Sequence, residues 1–222
     1  MTISIDGEPI IITVGTCEKN FFVHEEVIRA SSAFLKAALS KEWKDCGERS
    51  LKLPEADENA FKAYVQWLYT GRVLDVSLDE IEGPHDHEPN FFALAKLYVF
   101  GEQILDTTFQ DYIVDAIVDA IKEPGQQRVR VPIHPIIDLI WPNTSRGSPA
   151  RRAIVDTWAR FAAPQSLTPE VESNHEFIFD LSYALLQNRD EDESVHSDLR
   201  DGDPCKYHQH DGTKHCKAQV VT

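Results

Sequence analysis

Four cysteines in 222 residues, Cys17, Cys46, Cys205 and Cys216, are too few and too scattered for a disulfide framework. In a reducing compartment they are expected as thiols or metal ligands. Positive charge is also short. Lys and Arg number 22 against 37 Asp and Glu, a formal net charge of −15. Such a field repels phosphate backbones and anionic bilayers, so nucleic acids and membranes are not expected as partners. Long hydrophobic runs are missing too. The longest purely aliphatic run is Ile10 to Ile12, far short of the roughly 20 residues of a membrane span. The opening MTISIDGEPIIITVG has neither a basic n-region nor an apolar core, so it does not read as a signal peptide. Neither end carries a lipidation signal. The expected location is the cytoplasm or the nucleus.

Catalytic signatures are absent as well. The chain has no G-x-S-x-G, H-E-x-x-H, P-loop or G-x-G-x-x-G. His24-Glu25-Glu26 starts like a zincin motif but lacks the second His. The chain is therefore not expected to be an enzyme, and no catalytic residue is assigned.

What is present is enough apolar material, 42%, for a real core. Ile10 to Val14 reads as a buried strand, Gly15 to Asn20 as a turn and Phe21 to Val23 as its hairpin partner. From Glu25 the period changes. Val27, Ile28, Ser31, Phe34, Leu35, Ala38 and Leu39 recur at helical spacing, which predicts one amphipathic helix with Phe34 on its apolar face. Lys41 to Arg49 reads as a charged connector, and Leu51 and Leu53 as a third short strand. Asp57 and Glu58 are suited to start the next helix, whose apolar face is Phe61, Tyr64, Val65 and Leu68 and whose stop is Gly71. Phe34 and Phe61 are expected to be buried together. Residues 75–90 are an acidic loop. Helical patterns follow at Phe91 to Phe100 and at Phe109, Tyr112, Ile113, Ala116, Ile117, Ala120 and Ile121. Prolines 132, 135, 142 and 149 punctuate the second half. Its helical patterns fall at Ile136 to Trp141, at Ile154, Trp158 and Phe161, and at Phe177, Leu181, Ala184 and Leu185. Residues 189–203 hold seven acids against Arg189 and Arg200, the composition of a solvated, disordered segment.

Five motifs stand in a fixed order: Val14-Gly15, Phe22-x-His24, Ser32-x-Phe34, Leu53-Pro54-Glu55 and Phe61-x-x-Tyr64-x-x-Trp67-Leu68-Tyr69-Thr70-Gly71. With them, residues 10–71 resemble a BTB/POZ domain, in the style of the many fungal single-BTB proteins. The helices at 91–100 and 106–122 look like that family's closing helical pair. The resemblance implies an α+β, BTB/POZ-like fold, with a small three-stranded sheet flanked by helical hairpins and a mainly helical C-terminal region behind it. The expected division is a BTB/POZ-like domain over 1–123, a helical extension over 124–188 and an acidic, Cys/His-containing disordered tail over 189–222.

The resemblance also implies a protein–protein interaction module that self-associates as a homo-oligomer and recruits partners, in some relatives as a ubiquitin-ligase adaptor on a cullin scaffold. Only Met1 to Glu8 precede the first core strand, which leaves no room for the N-terminal helix exchanged in zinc-finger-linked BTB dimers. Cullin-docking relatives carry an apolar-x-acid triplet in the connector before the third strand. Trp43-Lys44-Asp45 falls about there and is the candidate partner-binding site. His24 and the aromatics Trp67 and Tyr69 read as packing residues, with the His24 ring bonded to nearby backbone.

One alternative comes from the tail. Cys205, His208, His210, His215 and Cys216 lie within twelve residues. Zinc takes four thiolate and imidazole ligands. His215 is left out because two adjacent side chains rarely reach one ion, which leaves Cys205, His208, His210 and Cys216. The alternative reading is thus a metal-responsive protein with a zinc-binding tail. No other cofactor is implied.

Overall fold

Alternation along the first strand makes a one-sided sheet. Ile10, Ile12 and Val14 are fully buried while Ile11 faces out. The computed structural model describes residues 9–45, 50–73, 91–122, 131–132, 134–187 and 207–209, with residues 41–45 described in backbone only. Strand β1 (Pro9–Val14) pairs antiparallel with β2 (Lys19–His24), placing Ile11 opposite Phe22. On its other side β1 pairs parallel with β3 (Ser50–Leu53), placing Ile12 opposite Leu51. The sheet order is β2-β1-β3. The hairpin turns at Gly15, whose φ of 74° suits glycine, and a Cβ there would sit 2.7 Å from Glu58 Cγ. This is the three-stranded sheet that the sequence motifs implied.

The predicted single helix over Val27 to Leu39 is in fact two, α1 (Glu25–Ser31) and α2 (Ala33–Asp45). Ser32 breaks them by leaving helical geometry at φ −97°, ψ 119°. Its backbone N–H bonds Ile28 O, ending α1, and its Oγ accepts from Leu35 N at 3.0 Å, starting α2. A serine that caps a new helix outcompetes continuation of the old one. Two further expectations fall with that break. Helix α2 buries Leu35 and Leu39 and leaves Phe34 40% exposed, so Phe34 is not Phe61's core partner. The stretch read as a connector from Lys41 is helical as far as Asp45.

Helix α3 (Glu58–Thr70) starts and stops as its sequence predicts. Asp57 Oδ1 accepts from Asn59 N and Ala60 N, both at 2.9 Å. Gly71 ends the helix in the left-handed region at φ 66°. The apolar runs that follow form α4 (Phe91–Gln103) and α5 (Thr107–Lys122).

The chain divides into two compact units, residues 1–86 with 96–110, and residues 87–95 with 111–222. In the first, Phe61 packs its ring edge-on to Phe21 at 4.9 Å and to Phe100 at 6.1 Å, and Tyr64 meets Phe109 at 5.1 Å. The second adds α6 (His134–Asn143), α7 (Pro149–Phe161), a 3₁₀ turn over 164–166, α8 (Pro169–Ser173) and α9 (His175–Gln187). Its centre is Phe177, edge-on to Trp141 at 4.9 Å and to Trp158 at 5.2 Å. Among the described residues, no helix is long and apolar enough to cross a membrane.

Candidate protein-interaction surface

The first unit is tied together by one buried carboxyl group. Asp106, with no exposed surface, follows Leu105, which takes a left-handed φ of 53° between α4 and α5. Asp106 Oδ1 accepts from Phe109 N at 3.0 Å, capping α5. Its Oδ2 accepts from the Tyr64 hydroxyl at 2.8 Å and from Ser31 Oγ. Ser32 Oγ donates to Ile104 O at 2.5 Å. The α1–α2 break, α3 and the α4–α5 turn are thereby joined. Burial, and then the negative charge of Asp106, push the Tyr64 hydroxyl far above the usual phenol range. Tyr64 therefore stays a donor.

What this frame presents outward includes exposed apolar side chains among polar ones such as Asn20 and Lys52. Phe22 on β2 is 67% exposed, and Ile11, its cross-strand neighbour, shares the outer face. Phe34 and Leu105 are exposed beside the serines that bond the α4–α5 turn. His24 departs from expectation. Among the described residues its ring bonds a side chain, with Nδ1 2.8 Å from the Tyr69 hydroxyl, and its own backbone N–H donates to that same oxygen at 2.9 Å. Tyr69 is thus a clasp between the end of β2 and α3, reached because Tyr69 sits near the helix's last turn.

Trp43, Lys44 and Asp45 occupy the last turn of α2, and their side chains lie outside the described residues. Cys205, His210, His215 and Cys216 lie outside them too. His208 is described and its side chain is 1% exposed. It belongs to a run of three residues that each meet an acid. The Tyr207 hydroxyl donates to Asp156 at 3.1 Å, His208 Nε2 lies 2.8 Å from Asp115 Oδ1, and Gln209 N donates to Asp111 Oδ1 at 2.9 Å. With Nε2 held by Asp115, a metal at His208 would have to come to Nδ1. Among the described residues, no group of three His, Cys, Asp or Glu is placed to hold a metal ion.

The second unit contains a feature that the sequence pattern did not announce. Arg151, on the first turn of α7, is 5% exposed. Its guanidinium donates to the Trp141 carbonyl, to Thr144 O at 2.7 Å and to Thr144 Oγ1 at 3.0 Å. It therefore caps the carbonyl end of α6 from a neighbouring helix. Glu176 Oε2 lies 3.2 Å from it. Above Arg151 opens a cleft of about 740 Å³, walled by Val155, Phe179, Tyr183 and Ala184. Helix α9 carries two apolar stripes. Phe177 and Leu181 face inward, whereas Phe179, Tyr183 and Leu186 are each more than half exposed. The i, i+4, i+7 spacing of that second stripe was the available signal.

A family model described as the BTB/POZ domain matches residues 9–98, which takes in the sheet, α1 to α3 and the first turns of α4. No curated protein matches the chain.

Proposed function

Residues 9–98 are a BTB/POZ domain, a module that binds proteins, and from that premise we infer that the chain self-associates through this region and recruits further proteins. The observation that carries the reading is the outer sheet face. Phe22 is 67% exposed on an edge strand, with Ile11 directly across from it. An exposed aromatic on an edge strand with an aliphatic neighbour across from it forms an apolar patch that association would cover, because exposed edges and apolar patches invite it. The residues offer the chemistry of a surface, and no reaction is assigned to them. Sedimentation of the full chain over a concentration series tests it. The expected result is a monomer–dimer or higher equilibrium, weakened about tenfold or more by the Phe22→Ser, Ile11→Thr pair, since central apolar contacts dominate such interfaces. A wild-type chain that stays monomeric at every concentration overturns it.

A finer reading concerns Trp43, Lys44 and Asp45 at the end of α2. Their place in the sequence falls about where cullin-docking relatives carry an apolar-x-acid triplet, although here they end α2 and do not form a connector, and it is the sequence position that supports a ubiquitin-ligase adaptor role. Trp43→Ala is expected to abolish co-purification of a cullin while changing stability by less than about 1 kcal/mol, as for a side chain that serves only a partner. If the wild-type chain captures no cullin, the adaptor role is wrong even where self-association holds.

A further inference from the structure

The cleft beside α9 is out of character with its chain. The whole sequence carries a net charge of −15, yet Arg146, Arg151 and Arg152 all line this one cavity. The acids that line it are engaged. Asp180 accepts from Trp141 Nε1 at 3.1 Å and lies 3.8 Å from Arg146 Nε, and Asp156 accepts from the Tyr207 hydroxyl at 3.1 Å. Arg151 is taken up by the carbonyls of α6. The two outer arginines differ from it. The Arg146 side chain is 72% exposed and lies 4.8 Å from the Phe179 ring centroid, and Arg152 is exposed on α7. The same cavity is lined by Phe179 and Tyr183, each 56% exposed.

We propose that this cleft docks an acidic peptide segment of a partner protein, with carboxylates on Arg146 and Arg152 and one apolar side chain against Phe179 and Tyr183. Charge selects the occupant. An apolar helix, or a second copy packing its own stripe here, would bury Arg152 with no added counter-charge and leave Arg146 only its share of Asp180, which also serves Trp141 Nε1 and Arg151, and that is costly. A small anion would satisfy the arginines and leave the aromatic wall in water. Nucleic acid would meet the repulsive field of the rest of the chain. A carboxylate-bearing peptide satisfies both halves, since arginine forks match carboxylates and Tyr and Phe anchor apolar side chains. This site is separate from the BTB/POZ reading and does not depend on it.

The test is fluorescence anisotropy on the full chain with a labelled short synthetic peptide of Asp and Glu around a central Leu-Phe pair. Binding is expected, stronger at low salt than at high. It should weaken about tenfold or more in an Arg146→Glu, Arg152→Glu chain, as for lost charge complementarity, and also in Tyr183→Ser. These side chains are exposed, so an unchanged melting curve would show that the variants fold. The same peptide with Lys for every acid should not bind. No binding by the wild type, equal binding of the Lys peptide, or indifference to the arginine pair overturns the proposal. A further variant changes the seven acids of residues 189–203 to amides. If only that chain binds the probe, the acidic occupant is this chain's own segment and the partner assignment is overturned.

Discussion

Each unit buries one ionisable side chain at a helix end, and the two are mirror images. In the first, the Asp106 carboxyl caps the amide end of α5. In the second, the Arg151 guanidinium caps the carbonyl end of α6. Both follow the helix dipole, which favours an acid at the N-terminus and a base at the C-terminus. They differ in what surrounds them. Asp106 has no exposed surface and meets only a backbone amide and two hydroxyls. Arg151 lies at the edge of an open cleft with Glu176 and Asp180 within 4.0 Å. A polar group closed off from water serves the fold alone, whereas one beside a cavity can serve the fold and still shape a binding surface.

The sharpest way to break this contrast is to remove both groups. Asp106→Ala orphans the Phe109 amide and the Tyr64 hydroxyl in the buried core and leaves the half-buried Ser31 hydroxyl without that partner. At about 1–3 kcal/mol for an unsatisfied buried group, and with incomplete additivity, the loss should be about 3–5 kcal/mol. Arg151→Met leaves two carbonyls next to a water-accessible cleft. It should cost about 1–3 kcal/mol, because water can take over part of the bonding. Chemical denaturation of both variants measures the difference. Equal losses would show that the cleft does not soften the second site.

A second contrast lies within the first unit. Phe61 has no exposed surface and touches three other rings, while Phe34 is 40% exposed. Phe61→Ala should cost about 3–5 kcal/mol, the usual range for a buried Phe. Phe34→Ala should cost below about 1 kcal/mol, as at a surface. Thermal melts of the pair check this. A large loss at Phe34 would mean that its face is covered, which points to the self-associated state.

Much of the first unit was legible because its signals are local. The alternation of Ile10, Ile12 and Val14 gave β1, Asp57 and Gly71 gave both ends of α3, and the motif order from Val14 to Gly71 gave the family. The break at Ser32 was not legible. Val27 to Leu39 keep helical spacing across it, and only the bonds of Ser32 to Leu35 N and Ile104 O show why the helix restarts. The clasp of Tyr69 on His24 joins positions 45 apart, and the grip of Arg151 on α6 depends on how helices pack. Side chains that act across elements leave no periodicity in the sequence. On α9 the apolar pattern was seen for Phe177, Leu181, Ala184 and Leu185, but Leu185 is 47% exposed and the outer stripe went unread. A helix that is apolar nearly all round does not reveal from its sequence which face is inside.

A smaller effect tests whether Asp106 is truly closed off. Tyr64 stays protonated far above the ordinary phenol range because it is buried beside Asp106. A raised folded-state value means that the unfolded chain loses its proton first as pH rises. The stability tied to this group is therefore fully present below about pH 10, the ordinary Tyr value, and is lost progressively above it. Tyr64→Phe should cost about 1–2 kcal/mol at neutral pH through the lost hydrogen bond. It should also flatten the alkaline fall in stability that wild type shows. Denaturant midpoints measured across the alkaline range decide the point, and identical slopes in the two proteins would mean that water reaches this carboxyl after all.

The last contrast concerns the described part of the tail. His208 Nε2 lies 2.8 Å from Asp115 Oδ1 and its side chain is 1% exposed, so His208→Ala removes a buried ring and leaves Asp115 without it, at about 1–3 kcal/mol. A double-mutant cycle with Asp115→Asn separates two roles for that bond. If it only fastens the tail, the cycle couples the pair, and the full chain binds Zn²⁺ no tighter than about millimolar with or without Asp115. If Cys205, His208, His210 and Cys216 do form a zinc site, Asp115 supports it from behind the imidazole. An acid in that position orients the ring and raises its basicity, and its loss typically weakens metal binding by about 10–100-fold. Calorimetric zinc titration of wild type, Asp115→Asn and a Cys205→Ser, Cys216→Ser chain gives the answer. Tight binding that depends on both cysteines and weakens without Asp115 establishes the site. Equal, weak binding by all three chains leaves Tyr207, His208 and Gln209 as a fastening of the tail onto Asp156, Asp115 and Asp111, with no part in metal binding.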